Sequence, residues 1–210
     1  MKLALIGATG KIGQRILKEA VSRGHEVTVI ARNPAKVEPQ AQVNAVQGDI
    51  LEVGSIAQAA AGHELVISAY GPPHSDPGLL SQATASLLQG VKQAGVPRLI
   101  AVGGAGSLEV APGVQVVDTP GFPDFVKPIA LAHRDAQDLY TGEKDLNWTV
   151  FSPAGTIEPG ERTGQYRTDT DKLVVNEQGE SRISAEDYAV ALLDEAEKPQ
   201  FPRQRFTAGY

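Results

Sequence analysis

Apolar positions along the chain follow two alternating rhythms. Leu3-Ala4-Leu5-Ile6 is a short unbroken apolar run, of the kind a strand buried on both faces requires. Over residues 11–23, Ile12, Ile16, Leu17 and Ala20 fall on one face of a helical period, and Gly24 stands where a helix ends. The same two steps recur. Strands are predicted at 26–31 (Val27, Val29, Ile30), 43–46, 65–69, 99–102 and 148–151. Helices are predicted at 55–61, at 79–94 closed by Gly95, and at 129–140, where Pro128 suits a first turn. Alternating apolar strands and amphipathic helices predict an α/β fold, a doubly wound parallel sheet with helices on both faces. Right-handed crossovers favour the strand order 3-2-1-4-5-6.

After Pro153 the rhythm changes. Residues 166–168 and 173–176 are predicted to form a hairpin. Ser184, with Asp187 three residues on, opens a helix running to about Glu197, and Pro199 follows its end. Residues 205–207 form a last predicted strand. This stretch is too short for a core of its own. The expected organisation is therefore one domain over 1–210, with a core at 1–155 and a small C-terminal section at 156–210 that completes the substrate side of a crevice.

The turn after the first strand carries the strongest chemistry. Gly7-Ala8-Thr9-Gly10-Lys11-Ile12-Gly13 joins a strand to a helix, which is the context a dinucleotide loop needs. Gly7 permits a sharp turn, Gly10 lets a pyrophosphate approach the backbone, and Gly13 lets the helix pack close to the sheet. The helix N-terminus offers unpaired N–H groups and partial positive charge to phosphates. The spacing is Gly-x-x-Gly-x-x-Gly. A tight strand–helix turn without a ligand is the plainer alternative. Ligands of doubly wound sheets bind at the carboxyl ends of the strands. The loop 7–13, Arg32, Asp49, and residues 69–71, 103–107 and 152–155 are thus expected to face one crevice.

Composition narrows this further. The hydrophobic and charged fractions, 41% and 21%, are ordinary for a globular chain. No apolar run approaches the ~18 residues of a membrane span, and Met1-Lys2 leads straight into a strand with no leader-like segment. With no cysteine, disulfides and thiolate chemistry are excluded. A formal net charge of −6 disfavours a nucleic-acid partner. The expectation is a cytoplasmic protein, a monomer or homodimer, acting on a small-molecule acceptor without metal, membrane or nucleic acid.

Five strand-end segments resemble a known family. The loop 7–13, Ala31-Arg32-Asn33-Pro34, Gly48-Asp49-Ile50, Ser68-Ala69-Tyr70-Gly71 and Val102-Gly103-Gly104-Ala105-Gly106-Ser107 look like those of the atypical short-chain dehydrogenase/reductases. More narrowly, the chain is similar to the bacterial NADH-flavin-reductase-like group, which is related to NmrA-like proteins and biliverdin reductase B. Residues 146–154 and 183–189 extend the resemblance over essentially the whole chain. It implies an NAD(P)-binding Rossmann fold and NAD(P)H-dependent hydride transfer to a flavin (FMN or FAD) or a similar planar acceptor. It also places Asp49 near the adenine with Ile50 against the ring. Ala69, Tyr70 and Gly71 would pass beneath the ribose, and Gly103, Gly104 and Pro153 would lie further along the cofactor. A turn role for Asp49 and a packing role for Tyr70 remain the plainer readings.

Arg32 and Asn33 stand where an acidic residue would hold a ribose 2′-OH and select NAD. A guanidinium there can pair with a 2′-phosphate, so NADP(H) is expected over NAD(H). The tyrosine–lysine pair of ordinary family members has one match in spacing, Tyr140 and Lys144. It falls at the wrong end of its predicted helix, with Gly142 between. Ser107, Lys127 and His133 are the candidate catalytic residues nearer the crevice: Ser107 to orient a substrate, Lys127 to offset its charge, His133 to donate a proton. Each has a structural alternative. The Gly- and Pro-rich segment 103–124 is a candidate lid, and Phe122 and Phe125 are candidates to stack on a planar acceptor. A non-catalytic dinucleotide sensor remains the rival reading, and an epimerase or dehydratase is disfavoured by the missing pair.

Overall fold

A computed structural model describes residues 1–210. In chain order the elements are β1 (Lys2–Ile6), α1 (Lys11–Ser22), β2 (Glu26–Ala31), β3 (Val43–Gln47), α2 (Val53–Ala60), β4 (Leu65–Ser68), α3 (Leu79–Gln93), β5 (Arg98–Val102), β6 (Glu109–Ala111), β7 (Val114–Gln115), α4 (Lys127–Gly142), β8 (Asn147–Ser152), β9 (Thr156–Glu158), β10 (Arg167–Asp169), β11 (Arg182–Ser184), α5 (Ala185–Glu197) and β12 (Gln204–Gly209). Eight strands form the central sheet in the order β10-β12-β8-β5-β4-β1-β2-β3. Seven run parallel, and only the β10 edge is antiparallel, to β12. The predicted 3-2-1-4-5-6 order is present as β3-β2-β1-β4-β5-β8.

Alternation along β1 explains why both faces are covered. Leu3 and Leu5 point into one core with Ile16, Leu17 and Ala20 of α1 and Tyr188 and Leu192 of α5. Ala4 and Ile6 point the other way, into a core with Ile56 of α2 and Leu87 and Val91 of α3. Each such buried leucine or isoleucine contributes about 1.5–3 kcal/mol over its exposed state.

Two expectations need correcting in the last quarter. The hairpin of 166–168 with 173–176 does not form. Arg167–Asp169 pairs instead with the open edge of β12. The chain near 172 turns away because Leu173 N–H donates to the Glu109 carbonyl and Glu109 N–H donates to that of Asp171. Asn176 then closes a tight turn, its side chain accepting from the N–H groups of Gln178 and Glu180. The final strand is also longer than predicted and is internal to the sheet, between β8 and β10. The section 156–210 therefore does two things. β9 and β11 pair just beyond the carboxyl end of β8, while α5, β10 and β12 extend the sheet and its core.

Candidate functional site

β1 and β4 are neighbours whose crossovers leave in opposite directions, so a crevice opens above their carboxyl ends. The chain leaves β1 through Gly7, whose φ is +80°; a Cβ there would stand 2.4 Å from the Ala69 carbonyl oxygen. At Gly13 a Cβ would lie 2.0 Å from the Gly7 carbonyl oxygen. Both glycines are therefore required for the loop to close on itself. Gly10 N–H donates to the Gly7 carbonyl, and Gln14 N–H returns to Gly10. Gly10 caps α1 without a side chain, and the first turn holds no acidic residue. The N–H groups and positive end of α1 thus face the crevice uncompensated, with Lys11 beside them.

A cleft of about 420 Å³ lies over this loop. Of the residues expected at the cofactor, Gly7, Ala8, Thr9, Gly10, Arg32, Asp49, Ile50, Ala69, Tyr70 and Gly71 line it. Lys11, Ile12 and Gly13 form the first turn of α1 behind the loop. The Asn33 side chain instead accepts from Ala35 N–H and caps the short turn Pro34–Lys36. Gly103, Gly104 and Pro153 follow the carboxyl ends of β5 and β8 and do not line this cleft. Leu51 and Leu79, with Pro72 and Pro73 just beyond Gly71, add apolar walls to the lining. The signal for Leu51 was an apolar residue directly after Asp49-Ile50, left partly exposed in the fold.

Asp49 has both a turn role and a place in the cleft. Its Oδ1 accepts from Leu51 N–H at 3.0 Å, and its own N–H donates to Ser55 Oγ at 2.9 Å. Arg32 is exposed on the rim. Tyr70 is partly buried between two apolar clusters. Burial raises its phenol pKa, with Arg32 opposing and Asp49 and Asp76 adding to the rise, so all three charges act on the same hydroxyl.

The catalytic candidates separate. His133 lies in the second turn of α4 against Gly104, where a Cβ would stand 2.7 Å from the His133 Cβ. Burial lowers its pKa to about 4, so the ring is neutral near pH 7. Lys127 is exposed at the start of α4. Ser107 is buried and faces the other flank of α4, where its hydroxyl accepts from Arg205 Nη1 at 2.9 Å. The first half of the 103–124 segment is pinned by that contact and by bonds from Val116 and Val117 N–H to Leu108 and Gly106 carbonyls. Phe122 is partly buried and Phe125 is 80% exposed. Tyr140 and Lys144 form no pair. Tyr140 is buried against Trp148 with its phenol pKa raised by burial, and Lys144 donates to the Thr141 carbonyl.

Known proteins share this fold. The sequence model of the NAD(P)H-binding family matches residues 7–199. The chain belongs to that family. A solved structure from Burkholderia pseudomallei, named as a candidate exported protein, is 52% identical with a TM-score of 0.92, covering 100% of both chains. One from Bacteroides thetaiotaomicron, named as a candidate epimerase, is 38% identical with a TM-score of 0.93, covering 100% of this chain and 96% of that one. A third, from Streptococcus pneumoniae and named as a candidate NADH-flavin reductase, is 38% identical with a TM-score of 0.90, covering 100% and 99%. The NAD(P)H-binding family, an oxidoreductase-like group, thus accounts for the loop 7–13, the cleft and the sheet order together, as the resemblance to atypical short-chain dehydrogenase/reductases implies. No helix is long and apolar enough to cross a membrane.

Proposed function

We propose that the protein is an NADP(H)-preferring reductase that delivers hydride to a flavin or a similar planar acceptor. The observation that carries this reading is the cleft itself: an uncapped α1 N-terminus at its floor and a free guanidinium, Arg32, on the rim where an acidic residue would select NAD. The loop 7–13 and α1 hold the pyrophosphate. Arg32 holds the 2′-phosphate bidentately. Ile50 and Leu51 cover the adenine, and Ala69 to Gly71 support the ribose. Reduced nicotinamide, when bound, supplies hydride to the acceptor. The chain's own part is chiefly proximity and orientation. Neutral His133 offers an N–H to the acceptor, Lys127 offsets phosphate or flavin charge, and Phe122 and Phe125 stack on the acceptor ring. Ser107 acts through the loop 103–106, which it anchors to Arg205.

The lack of a tyrosine–lysine pair supports an acceptor that needs no strong protein acid, and speaks against carbonyl reduction or epimerisation. The test mixes the protein with NADPH or NADH and FMN or FAD and follows the absorbance of the reduced nicotinamide. Consumption that is faster with NADPH, and a flavin KM raised in Phe122→Ala/Phe125→Ala, are expected. Binding without consumption, with equal affinity for oxidised and reduced cofactor, would establish the sensor reading in its place.

A further inference from the structure

A second cavity, of about 640 Å³, opens on the flank of α4 away from the cofactor cleft. Helical geometry explains its polarity. Ala132 and Ala136 turn toward Leu80 of α3, and Arg134, Gln137, Asp138 and Thr141 lie about half a helical turn away, facing out over β8 and β12. No helix follows on that side to cover them. Trp148 is the only hydrophobic residue among the fourteen that line the groove.

Its charges are unequally committed. Glu143 is bound to Lys92 at 2.7 Å and accepts from Asp145 and Leu146 N–H. Asp171 is bound to Arg205 at 2.6 Å. Arg205 also holds Ser107, and its Nε is buried without a partner. Arg134 has only long contacts, 3.5 Å to Gln115 and 3.9 Å to Asp118. Lys144 donates to the Thr141 carbonyl, and Arg203 lies 3.3 Å from the Lys144 carbonyl. Lys144 and Arg203 thus have no carboxylate partner and Arg134 only a distant one, so three cations from three segments of chain are weakly committed, against one uncommitted carboxylate in the lining, Asp138. This convergence occurs in a chain of net charge −6. Arg203 also holds a φ of +54°, one of two non-glycine residues in the left-handed region. Such backbone is retained where its surroundings over-determine it, commonly at ligand sites. Here Arg203 N–H donates to the Trp148 carbonyl at 2.7 Å, which fixes the backbone, and its guanidinium reaches toward the Lys144 carbonyl in the groove lining.

We propose that this groove is a second small-molecule site, for a compact anion bearing two or more carboxylate or phosphate groups. Its volume suits a small metabolite. Its lining, one tryptophan among polar and charged side chains, favours a charged ligand over an apolar one. Arg134 and Arg203 each offer a planar fork to an oxyanion, and Lys144 adds a point charge, while Arg205 stays bound to Ser107 and Asp171 behind them. Arg134, Arg203 and Lys144 have no part in the proposed reductase and do not line the cofactor cleft, so anion binding through them does not depend on that reading.

Calorimetric titration with citrate and with pyrophosphate tests it, on the chain alone and in the presence of NADP⁺. The expected result is saturable binding of at least one probe, unchanged by NADP⁺ and by Arg32→Ala, and weakened at least about tenfold in Arg134→Gln and in Arg203→Gln. Citrate alone would identify a carboxylate ligand, and pyrophosphate alone a phosphorylated one. An unchanged melting temperature shows that the variants are folded, and Lys144→Gln, on an exposed side chain, provides a third variant. No binding of either probe overturns the proposal. So does binding abolished by NADP⁺ or by Arg32→Ala, which would place the anion on the loop 7–13. Failure of NADP⁺ to bind would count against the proposed reductase and leave the groove's own readout intact.

Discussion

Arg32 carries no ion pair and lies exposed at the carboxyl end of β2, free to meet a ligand phosphate. Arg32→Ala is expected to raise the dissociation constant for NADPH about 10- to 100-fold, the scale of one charge-assisted pair, and to leave that for NADH within about twofold. Equal effects on both would remove its role. His133 makes a different prediction, in pH. Its folded pKa is about 4, below the ordinary histidine value near 6.5. The unfolded chain therefore binds a proton that the folded chain refuses, and stability falls as pH drops from about 6.5 toward 4. His133→Asn should lessen that loss: between pH 7 and pH 5 the wild type loses up to about 2 kcal/mol more in urea unfolding than the variant does. At this scale the glycines of the loop 7–13 were legible because their neighbours in space are also neighbours in sequence. The bond from Ser107 to Arg205 was not, since it joins residues 98 positions apart. The same distance hid the groove that Ser107 lines.

Among the elements, α5 shows how a local signal can conceal a larger role. Ser184 with Asp187 marked a helix start, and Ser184 Oγ does accept from Asp187 N–H. Asp187 is also fully buried, and accepts from the N–H groups of Thr163 and Gly164 and the hydroxyls of Thr163 and Tyr210. Burial pushes its carboxyl pKa up, but these donors outweigh it and hold the pKa below the usual carboxylate range. One carboxylate thus joins the helix, the 163–164 turn and the chain's last residue. Ser184 Oγ also donates to the Glu161 carbonyl and meets the Tyr210 hydroxyl, so Ser184→Ala should cost about 1–2 kcal/mol, a helix cap with these bonds beside it. Asp187→Ala strands several donors and should cost about 3 kcal/mol or more. Because the folded pKa is depressed, the contribution of Asp187 is present above the ordinary value and is lost as pH falls through the folded one. Urea unfolding of Ser184→Ala and Asp187→Ala at neutral pH ranks the two roles, and a larger loss at Ser184 would refute the ranking. The false hairpin belongs at this scale too. Arg167-Thr168-Asp169 has no apolar face to declare which edge it joins, so its partner was set by the open edge of β12, beyond the reach of local pattern.

Across the whole molecule, the sheet order followed from apolar periodicity and crossover handedness, because both faces of each central strand are buried. What periodicity could not supply is the joint between β5, β8 and β12 and the last helix. Phe151 stacks on Tyr188 at 4.0 Å and on Phe206 at 4.1 Å. At the amino end of β5, Arg98 meets Glu195 of α5 in an ion pair at 2.5 Å, the two side chains 8% and 2% exposed. Arg98 also donates to Thr149, while Glu195 accepts from Gln200 and Phe201 N–H, so the pair fixes the chain that leads into β12. Removing one partner leaves the other charge buried alone, and Glu195→Gln or Arg98→Met should cost about 3–5 kcal/mol. Arg98→Met/Glu195→Leu should recover much of that loss, because an apolar pair avoids desolvating two charges. The pair lies at the opposite end of the strands from the cofactor cleft. Binding should therefore add the same increment to every variant, about 2.7 kcal/mol at a cofactor concentration of 100 times the dissociation constant. Urea unfolding with and without NADPH measures both quantities. A single variant that keeps its cofactor increment while losing stability places the pair in the scaffold. A variant that loses the increment as well would mean that the two ends of the sheet are coupled through β5.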